Sequence, residues 1–116
     1  MNNIDKFNDY IEKIKKSNIL VIVEGEKDAK ALQELGIKNT IELSKKPLFG
    51  IIEKISSKNK DCIILTDLDK KGKELYGKLN SGLQEHGVRI DNKFREFLFR
   101  KTKIRQIEGI NGYLEF

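Results

Sequence analysis

Ile19-Leu20-Val21-Ile22-Val23 runs into Glu24-Gly25, and Cys62-Ile63-Ile64-Leu65-Thr66 runs into Asp67-Leu68-Asp69. Both apolar runs are rich in β-branched residues and too short for typical helices, so they read as buried strands of a parallel sheet. In open α/β sheets the carboxyl ends of the strands form the ligand crevice. If the two strands are neighbours, Glu24, Asp67 and Asp69 converge there, Glu24 facing the aspartates across a strand spacing of about 4.8 Å. If the strand ran straight through Asp67 and Asp69, both would point to one face and could share an ion. Carboxylates so placed repel one another unless protons or a cation neutralise them. Hard oxygen donors without His or Cys nearby favour Mg2+ or the similar Mn2+. The alternative for the aspartates is an Asx-type turn that caps the next helix.

Outward from these runs, strands alternate with helices. Ile4, Phe7, Ile11 and Ile14 recur at helical spacing through Asn3–Lys16. A helix over about Glu26–Leu35 is stopped by Gly36, and Thr40–Leu43 forms a short strand. Pro47 opens a helix whose apolar face is Leu48, Ile51, Ile52 and Ile55. Gly72 opens another that runs to about His86, Gly87 stops it, and Val88–Ile90 is the fourth strand. A basic helix from Lys93 to Lys101 turns Phe94, Phe97 and Leu98 inward and its Arg and Lys residues outward. The pattern predicts an α/β fold: a mainly parallel four-stranded sheet in the order 2-1-3-4, flanked by helices, with an extra N-terminal helix. At 116 residues the expectation is one domain over 1–116: helix extension 1–17, core 18–106 and tail 107–116.

Val23-Glu24-Gly25-Glu26-Lys27-Asp28, followed by Ile64-Leu65-Thr66-Asp67-Leu68-Asp69-Lys70-Lys71-Gly72, resembles the paired signature of the Toprim (topoisomerase–primase) domain. That signature is a glutamate-glycine after the first strand, then Asp-x-Asp with a glycine three residues on. The resemblance covers roughly Asn18 to Gln106 and implies a Rossmann-like fold. Its nearest flavour is that of small stand-alone Toprim proteins and of the Toprim ribonuclease that matures ribosomal RNA. It implies Mg2+ held by Asp67, Asp69 and Glu24, and Glu24 as general acid/base. It also suggests Asp28 and, on a looser alignment, Glu108 as supporting acids; for Asp28 the alternative is an acid favoured by the helix dipole. Leu43-Ser44-Lys45-Lys46-Pro47 departs from the family, which places small residues after the second strand.

Charge supplies the rest. Lys93, Arg95, Arg100, Lys101, Lys103 and Arg105 face Glu96 alone between residues 93 and 105, so this stretch accounts for the whole net charge of +5. A localised basic patch suits a polyanion such as RNA or DNA, though Lys and Arg also serve as ordinary helix-surface residues. Arg100, Lys101, Lys103 and Arg105 are therefore candidate nucleic-acid contacts. So are Lys27, Lys45, Lys46, Lys70, Lys71 and Lys73 around the acid rim, each of which reads equally as a solvated loop lysine. Gly25 and Gly72 would permit positive φ or close backbone approach, with free amides after them for a phosphate. His86, at a helix end, reads as a cap or surface residue, and Tyr10, Tyr76 and Tyr113 show no stacking spacing. A lone Cys62 suits a reducing cytoplasm, and no membrane-length apolar stretch occurs.

The leading expectation is a Mg2+-dependent nuclease, RNA favoured over DNA. A topoisomerase needs a covalent nucleophile and a strand gate, and a primase a template grip; hydrolysis needs only metal, base and water. The alternatives are a non-catalytic nucleic-acid-binding accessory protein, a Toprim subunit of a topoisomerase- or primase-like complex, and a receiver-like phosphate pocket. The last leaves the basic helix and Glu24-Gly25 unexplained. The sequence leaves the oligomeric state open, with a homodimer and membership of a larger complex among the candidates.

Overall fold

The computed structural model describes residues 1–115, with side chains through Gly112; Phe116 and the side chain of Tyr113 lie outside the described residues. The elements are α1 (Asn3–Ser17), β1 (Leu20–Val23), α2 (Glu26–Glu34), β2 (Thr40–Glu42), α3 (Leu48–Lys58), β3 (Asp61–Leu65), α4 (Lys70–Glu85), β4 (Arg89–Ile90), α5 (Lys93–Lys101) and a 3-10 helix (Ile107–Glu115). All strand pairs are parallel and the order is β2-β1-β3-β4, as the sequence predicts.

Alternation along the two central strands divides the core into two. Val21, Val23, Ile63 and Leu65 pack with α1, α2, α5 and the 3-10 helix. Leu20, Ile22, Cys62 and Ile64 face α3 and α4 on the other side. All four residues of β1 are buried, as a strand covered on both faces requires. α1 is no loose extension: Phe7, Ile11 and Ile14 are buried, and Phe7 lies 6.0 Å from Phe94 between ring centroids. Tyr10, partly buried, packs against this core on Phe94 and Phe97 at 5.5 and 5.2 Å between ring centroids. Cys62 is fully buried, and burial pushes its thiol up to about 12. His86 ends α4, its Nδ1 2.8 Å from the Gly82 carbonyl. Among the described residues no helix is long and apolar enough to cross a membrane.

Register decides what meets at the carboxyl edge. Val23 pairs with Leu65, so the residues leaving β1 and β3 emerge side by side. β3 stops at Leu65, and the chain turns back into α4 through residues 66–69. Thr66 Oγ1 donates to the Gly72 carbonyl at 2.7 Å, and Asp69 Oδ1 accepts from Gly72 N at 2.7 Å. A Cβ on Gly72 would lie 2.0 Å from the Asp67 carbonyl oxygen and 2.6 Å from its carbon. Gly72→Ala should therefore lower stability by about 2–4 kcal/mol, at or above the usual overpacking cost, because backbone rather than a flexible side chain must yield. Urea unfolding measures it, and a loss under about 0.5 kcal/mol, the size of an ordinary surface change, would refute the close approach.

Candidate functional site

Glu24 leaves β1 beside the turn that carries both aspartates, and its Oε2 accepts from Asp67 N at 2.7 Å. The neighbouring strand holds its backbone too, since Ser44 N donates to the Glu24 carbonyl at 3.0 Å. Asp67 is half-buried, and its Oδ1 accepts from Ile107 N at 2.9 Å. Asp69 caps α4. The aspartates thus do not share one face of a straight strand: β3 ends before them, and each is turned by its own backbone hydrogen bond. For Asp69 the helix-cap reading is correct, and it coexists with the rim position. In all three carboxylates one oxygen is anchored to a main-chain amide, and the other has no hydrogen-bond partner among the described residues. Carboxylates held in this way by outer hydrogen bonds are oriented as metal ligands commonly are.

The acids crowd one another. Asp28, buried in the first turn of α2, accepts from Gly25 N at 3.1 Å. Its pKa is raised to about 6, first by burial, then by Asp67, Glu24 and Glu108 nearby, with the Gly25 amide opposing. Asp67 is also raised, chiefly by burial and further by Asp69 and Glu108; the Ile107 amide and Arg95 pull it back. Glu108, exposed on the 3-10 helix, therefore does lie by the cluster.

Arg95 corrects the expectation that every Arg and Lys of α5 faces out. It is 7% exposed, and its Nη1 donates to the carbonyls of Thr66 and Ile64 at the end of β3. Its guanidinium lies 4.5 Å from the Tyr76 ring centroid and 4.8 Å from that of Phe99. Tyr76 OH in turn donates to Asn92 Oδ1 at 2.6 Å. This buried cation beneath the acids was missed in the sequence; its one signal is Phe99 four positions along the same helix face.

The first amide after Gly72 is not free, since Lys73 N donates to the Asp69 carbonyl at 2.9 Å, and Asp28 and Asp69 occupy the Gly25 and Gly72 amides themselves. Gly25 needs no glycine freedom either: its φ is −151°, and an added Cβ would meet nothing within 4 Å. The departure after β2 proves structurally distinct. Ser44 and Lys45 have φ of 42° and 62°, and Lys46 N donates to the Leu43 carbonyl at 2.8 Å, closing a tight turn beside Glu24. Left-handed backbone without glycine costs on the order of 1–2 kcal/mol per residue.

Lys27, Lys45, Lys46, Lys70, Lys71 and Lys73 are all exposed around this edge. The C-terminal cations divide. Lys101, Lys103 and Arg105 line a cavity of about 810 Å3 that reaches Leu68 and Asp69. Arg100 lines a cleft of about 710 Å3 between α1 and α5, and Lys101 lines both.

Among the described residues, no three His, Cys, Asp or Glu side chains already stand together as a metal-holding group. The donor set still fits Mg2+, which is commonly held by one or two carboxylates with water and substrate phosphate completing its shell. Glu24, Asp67 and Asp69 each offer a carboxylate oxygen for that purpose.

The family model for the Toprim domain matches residues 19–96. A UPF0292 protein of Pyrococcus abyssi is 38% identical over 116 residues, covering 97% of this chain and 87% of that protein. A UPF0292 protein of Methanocaldococcus jannaschii is 32% identical over 98 residues, covering 81% and 77%. A solved structure, a putative protein from Aquifex aeolicus, superposes with a TM-score of 0.81 at 31% identity, covering 93% of this chain and 98% of that one.

Asp28 gives a pH test. Its folded pKa of about 6 exceeds the ordinary 3.8, so between these values the unfolded chain binds fewer protons and stability falls as pH rises. In metal-free buffer the fall between about pH 4 and 6 should amount to roughly 1–3 kcal/mol from this group. Asp28→Asn, which keeps an acceptor for Gly25 N, should remove that part and be the more stable protein at neutral pH. Parallel stability–pH curves for the two proteins would exclude the assignment.

Proposed function

The chain belongs to the Toprim domain family, and from that premise we propose that its acid edge serves a Mg2+-dependent nuclease, with RNA favoured over DNA. Membership points to a metal-dependent, nucleic-acid-related activity. The nuclease reading rests on one observation: the Glu24 carboxylate is fixed by Asp67 N with its second oxygen unengaged, beside two aspartates anchored in the same manner. Asp67 and Asp69 would hold Mg2+, or Mn2+ in its place, which leaves the unengaged Glu24 oxygen for proton transfer. When bound, the ion supplies positive charge for the phosphate oxygens.

Glu24 is the proton-transfer group in this reading. Held at Oε2, it presents Oε1 to take a proton from the attacking water or return one to the leaving oxygen. The Thr66 carbonyl and Arg95 fix the turn from below, so the aspartates keep their place while a polyanion is bound. Asp28 and Glu108 enlarge the negative charge that a cation must offset. Lysines around the rim, with Lys101, Lys103 and Arg105, hold the strand backbone. The buried Cys62 thiol accords with a cytoplasmic setting.

One observation favours the non-catalytic alternative, a nucleic-acid-binding accessory protein acting alone or as a Toprim subunit of a larger complex. Each acid is already engaged in holding the backbone together. Turnover separates the two. Glu24→Gln keeps an acceptor for Asp67 N but cannot transfer the proton, so Mg2+-dependent cleavage of structured RNA should fall about 10²–10⁴-fold with affinity nearly level. Wild-type protein that cleaves neither RNA nor DNA with Mg2+ or Mn2+ would leave the accessory reading standing.

The charge map makes a separate prediction. Neutralising Lys101, Lys103 and Arg105 together should weaken polynucleotide binding and flatten its salt dependence. The log–log slope should change by roughly 0.7–0.9 for each phosphate that no longer meets a cation. Arg100→Gln, in the other cleft, should leave the slope nearly unchanged. Titrations at several salt concentrations measure both.

A further inference from the structure

Beside Asp69 the chain forms a cavity whose walls no phosphate alone explains. Leu68 and Ile104 contribute aliphatic surface, while Lys101, Lys103 and Arg105 supply cations around it. At about 810 Å3 it falls within the size range of small-molecule pockets. Most of its lining comes from residues 101–112, beyond the 19–96 span that defines the family match.

The walls are already built. Leu68 N donates to the Arg105 carbonyl at 2.9 Å, which ties the cavity to the turn bearing Asp67 and Asp69. Thr102 Oγ1 donates to the Leu98 carbonyl at 2.6 Å and accepts from Ile104 N at 3.1 Å, fixing the bend after α5. Arg105 Nη1 donates to the carbonyls of Thr102 and Ile104 at 2.9 and 2.8 Å. These bonds tie one nitrogen of the exposed guanidinium to the bend that forms the cavity wall.

We infer that this cavity receives the unstacked base of a single nucleotide, so that the substrate is a strand with an unpaired or bulged residue rather than a continuous duplex. The inference rests on the nucleic-acid reading above and sharpens it. A phosphate needs cations alone and has no use for Leu68 and Ile104. A nucleobase needs an apolar slot and a flat partner, and arginine planes are common stacking partners for splayed-out bases. Bases inside a continuous helix cannot enter a side cavity without leaving the stack, whereas an unpaired one enters at little cost. With the base seated, Lys101 and Lys103 are placed for the flanking phosphates, and Asp69 lies at the wall nearest the strand.

The experiment uses metal-free buffer, so that binding is read without cleavage. A hairpin RNA with a single bulged 2-aminopurine is compared with its fully paired counterpart by anisotropy and by 2-aminopurine fluorescence. The wild-type protein should bind the bulged RNA roughly 5- to 100-fold more tightly, the range that stacking one base provides. Gly109→Leu and Gly112→Leu add side chains where a Cβ meets nothing within 4 Å. Each should abolish the preference while leaving affinity for the paired RNA, its salt slope and the melting temperature in place. Arg105→Gln retains a donor for the two carbonyls but lacks the planar cation, and should reduce the preference with fold intact. Equal binding of bulged and paired RNA by the wild type, or a preference that survives all three variants, overturns the inference and leaves the nuclease reading untouched. Binding to neither RNA in this buffer also overturns the inference, while the nuclease reading is judged separately by Mg2+-dependent turnover.

Discussion

Negative charge gathered at the ends of two adjacent strands is the constraint around which this fold is arranged. Glu24, Asp67, Asp69, Asp28 and Glu108 stand close enough that burial and mutual repulsion raise the pKa of Asp28 and Asp67. The chain contains this repulsion with main-chain amides from the start of α2, from α4, from the turn at residues 66–69 and from the 3-10 helix, each directed at a carboxylate. Below them lies Arg95, desolvated yet satisfied by the carbonyl end of β3 and enclosed by two aromatic rings. Removing any one of these partners would leave a partly buried charge uncompensated, which costs more than the net strength of the bond itself.

The same arrangement explains why the site can be both structural and chemical. A carboxylate that bonds to an amide through one oxygen is oriented, and its other oxygen remains available. Orientation is most of what such a site must provide before a cation or a phosphate arrives. The outer layers follow from it. α5 has to bury Arg95 beneath the turn, and the bend after it has to return Ile107 to Asp67. The cavity beside Asp69 is formed along that return path.

Much of this was legible in the sequence. The two β-branched runs, ending in acid and separated by helical periods, led to the β2-β1-β3-β4 order and to the neighbourhood of Glu24 with the aspartates. The orientation of Asp67 and Asp69 was not, because period-2 reasoning holds only while the strand lasts, and β3 ends at Leu65. Arg95 was hidden because a cation among Phe94, Phe97 and Leu98 reads as the polar face of an amphipathic helix. Its partners are carbonyls that exist only once β3 has ended nearby. Ser44 and Lys45 carry none of the Asn or Gly that usually announces left-handed backbone. The segment around Gly109 and Gly112 has too little apolar periodicity to announce a 3-10 helix.

Cys62 carries a consequence of a different kind. It sits on β3 between β1 and β4, under α3 and α4, with its thiol pushed far from the reactive thiolate form. In the closed protein it is inert toward disulfide exchange and alkylation. Labelling must therefore wait for an opening that detaches the α3–α4 layer or unfolds the chain. Its rate, followed against denaturant, becomes a clock for the opening of the central sheet, and an occupant of the acid edge that binds only the folded chain slows it.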